Sequence, residues 1–218
     1  MIQSITTSRH KTRPKMTTST PTFPTPLRLY FAYGSNLSLA QMKSRCPTSS
    51  YHSFGYLSDF KWIIGERGYA NVIKTPPTGA AKHVVYGMLY TLEPPDEENL
   101  DIAEGVPDAY IKRELAIHLE SKDGERDGKE KRNVDVKGEV VKALVYVDEK
   151  RLGEGVCVEE YVARINRGVR DAKSKGMKEW YVRKYIRPVV REEDVPDDGE
   201  VEDPFHPINL EAYNEEAN

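Results

Sequence analysis

The sequence predicts an α+β domain built on a curved mixed sheet, and three observations carry that reading. Six short runs rich in Val, Ile, Leu, Tyr and Phe recur between residues 28 and 147 and read as strands, whereas helical signals are few. Alternation is clear in Leu115-Ala116-Ile117-His118-Leu119 and in Ala143-Leu144-Val145-Tyr146-Val147. Connections between the runs are short, and 218 residues suit one domain with tails.

The first strand covers 28–33, where Leu29, Phe31 and Tyr33 alternate with smaller or polar positions, the period of a half-buried strand. It runs into Gly34-Ser35-Asn36. Ser38-Leu39-Ala40-Gln41 then reads as a capping box that opens a helix from Leu39 to about Arg45, stopped by Pro47. Strands follow at 54–64, 70–75 and 83–92. A short helix begins after Pro94-Pro95 and ends near Glu104-Gly105. Two further strands, 110–119 and 141–147, flank a polar insert from Ser121 to Gly138. Acids and bases interleave there without aromatics, which fits an exposed hairpin loop and not a nucleic-acid patch. A longer helix spans about Val158 to Lys173, with Tyr161, Ile165, Val169 and Ala172 at helical spacing and Gly176 as its stop. A last turn or two, from Lys178 to Ile186, halts before Pro188.

Charge and composition narrow the function classes. The 32 basic and 35 acidic residues nearly cancel, so overall charge argues neither for nor against a nucleic-acid partner, and none is expected. No apolar run approaches the roughly 18 residues that a membrane span needs, and no membrane partner is expected. Cys46 and Cys157 give no disulfide framework, fit a reducing, cytoplasmic compartment, and read as structural. Residues 1–26 carry Arg9, Lys11, Arg13 and Lys15, no acid, and many Ser, Thr and Pro. That composition suits a disordered tail or a mitochondrial presequence, and the repeated prolines favour the tail. Residues 27–190 then form the domain and 191–218 an acidic tail, expected to stay solvated, with Phe205 to Tyr213 as the stretch able to dock on the body.

The loop after the first strand is the clearest candidate site. Gly34 brings no Cβ between a ligand and the backbone, and a helix start follows at once, so N–H groups converge where a carboxylate or developing oxyanion would sit. No Lys-Ser or Lys-Thr follows as in a phosphate loop, and the later glycines of a dinucleotide fingerprint are missing. The five histidines, His10, His52, His83, His118 and His206, are scattered, so no metal and no cofactor are expected. Ser35 lacks both a Gly-x-Ser-x-Gly elbow and a histidine base.

Downstream lies Asn99-Leu100-Asp101-Ile102-Ala103-Glu104-Gly105-Val106, followed by Tyr110. With Tyr33-Gly34-Ser35-Asn36 before it, and Gly68-Tyr69-Ala70-Asn71 and Val85-Tyr86-Gly87 between, this order of motifs resembles the γ-glutamylcyclotransferase family, from about Leu27 to Pro188. The resemblance implies a small mixed β-barrel of about six strands flanked by a few helices, with a pocket at one end. It implies cyclisation of a small γ-glutamyl substrate to 5-oxoproline, without metal or cofactor. Glu104 would be the general base and acid, and Tyr30, Phe31, Ala32, Tyr33, Gly34, Ser35 and Tyr161 would bind substrate. The local sequence agrees for Glu104. The negative end of a helix dipole and burial in a pocket both raise a carboxyl pKa toward the range useful for proton transfer. Asn36 is expected to hold the loop's shape, Tyr110 to close the pocket, and Lys112 and Arg113 to lie on a solvated strand face.

The leaving group is expected to be an amino acid or peptide, with an amine as the alternative. Glutathione ranks lower, because its specific relatives carry Gly-Tyr-Gly-Ser-Leu where this chain has Ala32-Tyr33-Gly34-Ser35-Asn36. A binding protein that kept the fold is the reading from another class, and the presence of Glu104 ranks it below the enzyme. A homodimer is left open.

Overall fold

The computed structural model describes residues 27–76, 83–120, 139–195 and 203–205. The basic tail, the insert 121–138 and most of the acidic tail therefore lie outside the described residues. Among the described residues there are seven strands: β1 Arg28–Ala32, β2 Ser50–Ser58, β3 Phe60–Ile64, β4 Ala70–Lys74, β5 Val84–Leu92, β6 Ile111–Leu119 and β7 Val140–Val147. Five of them close a barrel in the order β1-β5-β2-β6-β7. The closing pair, β1 with β7, is parallel through Tyr30 opposite Leu144, and the other neighbours are antiparallel. β3 and β4 form a separate two-stranded sheet.

The expected strand 54–64 is thus two strands, and the first begins earlier, at Ser50. The break falls at Asp59, which takes φ 62, a left-handed conformation that Asp tolerates better than most side chains. The Asp59 carbonyl accepts from the Thr75 N–H, so the chain turns out of the barrel and β3 pairs with β4 alone. β1 also differs from the half-buried expectation. Tyr30, Phe31 and Ala32 are all buried, because the strand is packed on its outer side as well as toward the barrel interior.

The helices fall where the sequence places them, at α1 Leu39–Arg45, α2 Pro94–Ala103 and α3 Glu159–Ser174, then the short α4 Glu179–Tyr181, which runs into a π turn at Val182–Ile186. A 3-10 turn at Ser35–Leu37 joins β1 to α1. α3 buries Tyr161, Ile165, Val169 and Ala172 as its periodicity predicts. At Gly168 a Cβ would stand 3.0 Å from the Leu37 Cβ and 3.2 Å from the Ser38 nitrogen. Glycine there lets α3 close on the 3-10 turn, which matters because that turn carries the site. Among the described residues, no helix is long and apolar enough to cross a membrane.

Candidate active site

A cavity of about 200 Å³ opens at one end of the barrel. Tyr33 follows the C-terminal end of β1, Tyr146 lies near the C-terminal end of the parallel β7, and Tyr110 precedes the antiparallel β6. All three line the cavity, so strand direction alone gathers them at the same mouth.

Glu104 is the C-cap of α2 and lines this cavity, with 17% of its side chain accessible. Its Oε1 accepts from Asn36 Nδ2 at 3.0 Å and stands 3.6 Å from Arg45 Nη1. Asn36 Nδ2 donates also to the Tyr30 hydroxyl at 2.9 Å. Asn36 therefore does more than shape the loop: it ties the loop to the carboxylate. Burial raises the Glu104 pKa, and Arg45 and Arg164 oppose the rise without cancelling it.

The loop residues divide between cavity and core. Tyr30, Tyr33, Gly34, Ser35 and Tyr161 line the cavity. Phe31 and Ala32 do not; they are wholly buried in the core, where the Phe31 ring lies against Gly87. The N–H groups expected to converge on a ligand are largely used within the protein. Ser35 N–H donates to the Tyr161 hydroxyl at 2.9 Å, Leu37 N–H to the Gly34 carbonyl at 3.0 Å, and Leu39 N–H to Asp171 Oδ2 at 2.8 Å. Only half of the capping box forms. Gln41 N–H donates to Ser38 Oγ at 3.3 Å, while the Gln41 amide donates instead to Ser35 Oγ at 2.9 Å and Asn36 Oδ1 at 2.7 Å. The helix start therefore braces the loop, and the Ser35 N–H is spent on the Tyr161 hydroxyl.

Tyr161 is buried, and burial pushes its pKa up to about 12, so it keeps its proton near neutral pH. Tyr110 also lines the cavity, held by donation from its hydroxyl to the Ala70 carbonyl at 2.9 Å. Lys112 and Arg113 are away from it, paired with Glu97 and Asp101 and with Glu149 respectively. Cys46 is fully buried and burial lifts its thiol to about 12, in keeping with a structural role.

Three arginines and a piece of the acidic tail complete the cavity, and the sequence reading missed the arginines and Asp203. Arg45 donates from Nε and Nη2 to the two oxygens of Asp203, each at 2.6 Å. Arg164 donates to Gln41 Oε1 at 3.1 Å and Ser35 Oγ at 3.2 Å, and its Nη2 stands 3.2 Å from Asp203 Oδ1. Arg67, from the β3–β4 turn, stacks over Tyr110 at 4.6 Å, and its Nη2 is buried without a hydrogen-bond partner. The expectation of a solvated acidic tail fails at Asp203, which is drawn in by two buried guanidinium groups, whereas Phe205, at the start of the stretch read as able to dock, packs its ring 5.3 Å from Tyr69 and lines the cavity. Arg45 and Arg164 look like ordinary helix-surface cations in sequence, one in a last turn and one four residues after Glu160. Nothing local marks them as buried.

Comparison bears out the family that the sequence motifs resemble. The family model described as "Gamma-glutamyl cyclotransferase, AIG2-like" matches residues 30–163. The chain belongs to that family. A solved γ-glutamyl cyclotransferase superposes with TM-score 0.59 at 21% identity, covering 85% of this chain and 99% of its own. The uncharacterized protein loc79017 from Homo sapiens gives TM-score 0.58 at 22% identity, covering 84% and 98%. YkqA from Bacillus subtilis gives 0.56 at 16% identity, covering 78% and 57%. At these identities the likeness establishes the fold. No curated protein matches the chain.

Proposed function

We propose that the protein cyclises γ-glutamyl amino acids, releasing 5-oxoproline and the free amino acid. The observation that carries the reading is Glu104, a carboxylate with a raised pKa that is fixed by Asn36 and shares the cavity with Gly34, Ser35 and the α3 residue Tyr161. The substrate holds its own nucleophile. Its α-amino nitrogen bonds to the γ-carbonyl carbon, the carbon–nitrogen bond to the leaving amino acid breaks, and a five-membered lactam results. Glu104 takes a proton from the attacking nitrogen and returns one to the departing nitrogen, so atoms and charge balance without water. The cavity holds the glutamyl chain bent, which supplies the entropic part of the acceleration. Tyr161 accepts from the Ser35 N–H and retains its own O–H, which suits it to donate to the γ-carbonyl oxygen as negative charge gathers there.

Arg67 favours an amino acid over a simple amine as the leaving group. Arg67 lines the cavity, its nearest acid is Asp148 at 3.4 Å from Nε, and the buried Nη2 has no hydrogen-bond partner, so the side chain keeps donor capacity that a substrate carboxylate would satisfy. Arg45 and Arg164, in contrast, are already engaged. Incubation with γ-glutamyl-alanine, γ-glutamyl-ε-lysine, γ-glutamyl-ethylamide and glutathione, with 5-oxoproline as the readout, should show γ-glutamyl-alanine turned over best. Arg67→Met should lower kcat/KM for γ-glutamyl-alanine by about 30-fold, the scale of one charge-assisted hydrogen bond of about 2 kcal/mol, and leave the ethylamide little changed. Equal losses on both substrates would place Arg67 on the glutamyl carboxylate instead.

A further inference from the structure

We infer that Asp203 is a positioning residue of the active site: it holds Arg45 away from Glu104 and seats Phe205 as part of the cavity wall. The inference rests on the reading of Glu104 as the proton carrier. The Arg45 side chain is 2% exposed and stands between two carboxylates. Asp203 takes its Nε and Nη2 edge with two bonds of 2.6 Å, whereas Glu104 is 3.6 Å from Nη1, beyond hydrogen-bond range. A carboxylate bonded to two parallel donors is the strongest partner that a guanidinium finds. With that edge occupied, Nη1 is left to Asn36 Oδ1 at 3.3 Å and to a longer approach by Glu104.

Removing the Asp203 charge leaves a buried cation whose nearest remaining carboxylate is Glu104, and Coulomb attraction then draws the two together. A Glu104 clamped by Arg45 binds its proton less tightly and is a weaker base. Arg164 and Arg67 face Glu104 from α3 and from the β3–β4 turn and already favour its ionised form; Asp203 acts in the opposite sense. Tyr30 and Tyr33 from the β1 end, Tyr110, Tyr146 and Tyr161 also lie in its field, as does Cys46. Burial raises the pKa of each, so they stay neutral while Glu104 titrates. Asp203 itself is pushed up by burial, but the bonds and charge of Arg45 outweigh this and hold it below the usual carboxylate range. It therefore stays ionised while Glu104 titrates.

The same anchor fixes Phe205. Its N–H donates to Asp203 Oδ1 at 3.2 Å, and its ring is covered by the Arg164 guanidinium at 5.6 Å. The acidic segment thereby contributes one charge and one wall to a cavity otherwise built by the domain.

The test is the titration of the Glu104 carboxyl by NMR in full-length protein labelled with ¹³C at glutamate carboxyls, its resonance identified by its loss in Glu104→Gln. In Asp203→Asn the midpoint should lie about one pH unit lower than in the wild type, the scale of a neighbouring charge moving closer. The acid limb of the kcat/KM profile should move with it. Asp203→Glu, which keeps the charge, should return the midpoint toward the wild-type value. Arg45→Gln probes the pair from the other side and should raise the midpoint. Unchanged midpoints in folded Asp203→Asn and Arg45→Gln proteins would overturn the proposal. Phe205→Ala should raise KM about tenfold with kcat little changed; an unchanged KM would remove the wall from the account. The titration needs no turnover, so an inactive wild type would sink the proton-carrier reading while the effect of Asp203 on Glu104 stayed measurable.

Discussion

Replacing Glu104 with Gln is expected to lower kcat about 10³-fold, the middle of the range for loss of a positioned general base. The fold should survive. Gln keeps an oxygen for the Asn36 Nδ2 bond, and Arg45 keeps both bonds to Asp203, so no buried donor is newly orphaned. The thermal midpoint should stay near that of the wild type, and a labelled γ-glutamyl peptide should still bind. The pH dependence gives the same claim a sign. Glu104 must be ionised to take a proton, and burial raises its pKa. The wild-type kcat/KM should therefore fall as pH drops, beginning above the ordinary carboxylate range, and the residual activity of Glu104→Gln should lack that limb. A wild-type profile that stays flat down to the ordinary carboxylate range would remove Glu104 from the proton path.

The second large effect is expected at Gly34→Ala. A Cβ there would stand 2.7 Å from the Tyr161 hydroxyl and 3.2 Å from the Ala70 Cβ, so the tyrosine must move. That movement breaks the Ser35 N–H bond to Tyr161 and shifts the hydroxyl away from the substrate carbonyl. A displacement of this size costs about 100-fold in kcat/KM when reacting groups are aligned by the site. The double variant Gly34→Ala/Tyr161→Phe relieves the clash without restoring the hydroxyl. It should recover thermal stability and not activity, which separates a catalytic hydroxyl from a packing defect. Recovery of both would mean that Tyr161 acts only by filling space.

What the sequence discloses and what it hides follow from how local each signal is. The β1 run, the Ser38 cap, the α3 stripe and the Gly105 stop are written in neighbouring residues, and each element forms where it is expected. The motif pair Tyr33-Gly34-Ser35-Asn36 and Glu104-Gly105-Val106 is legible for the same reason. The turn at Asp59 is not, because Ser58, Asp59 and Lys61 between apolar residues read as solvent-facing strand positions until the left-handed φ is seen. Barrel closure rests on Tyr30 meeting Leu144, a contact between residues far apart in the chain that no window reveals. The cavity's charge balance is hidden in the same way. Arg45, Arg164 and Asp203 each look solvated, and only the fold places two cations around one carboxylate beside Glu104.

The central claim is that this cavity closes a γ-glutamyl chain on itself with Glu104 carrying the proton. The measurement that tests it most directly is the appearance of 5-oxoproline from γ-glutamyl-alanine, quantified against released alanine, for the wild type and Glu104→Gln side by side. The account predicts equal amounts of the two products from the wild type and almost none from the variant. Glutamate released in place of 5-oxoproline, or equal turnover by the variant, would contradict it.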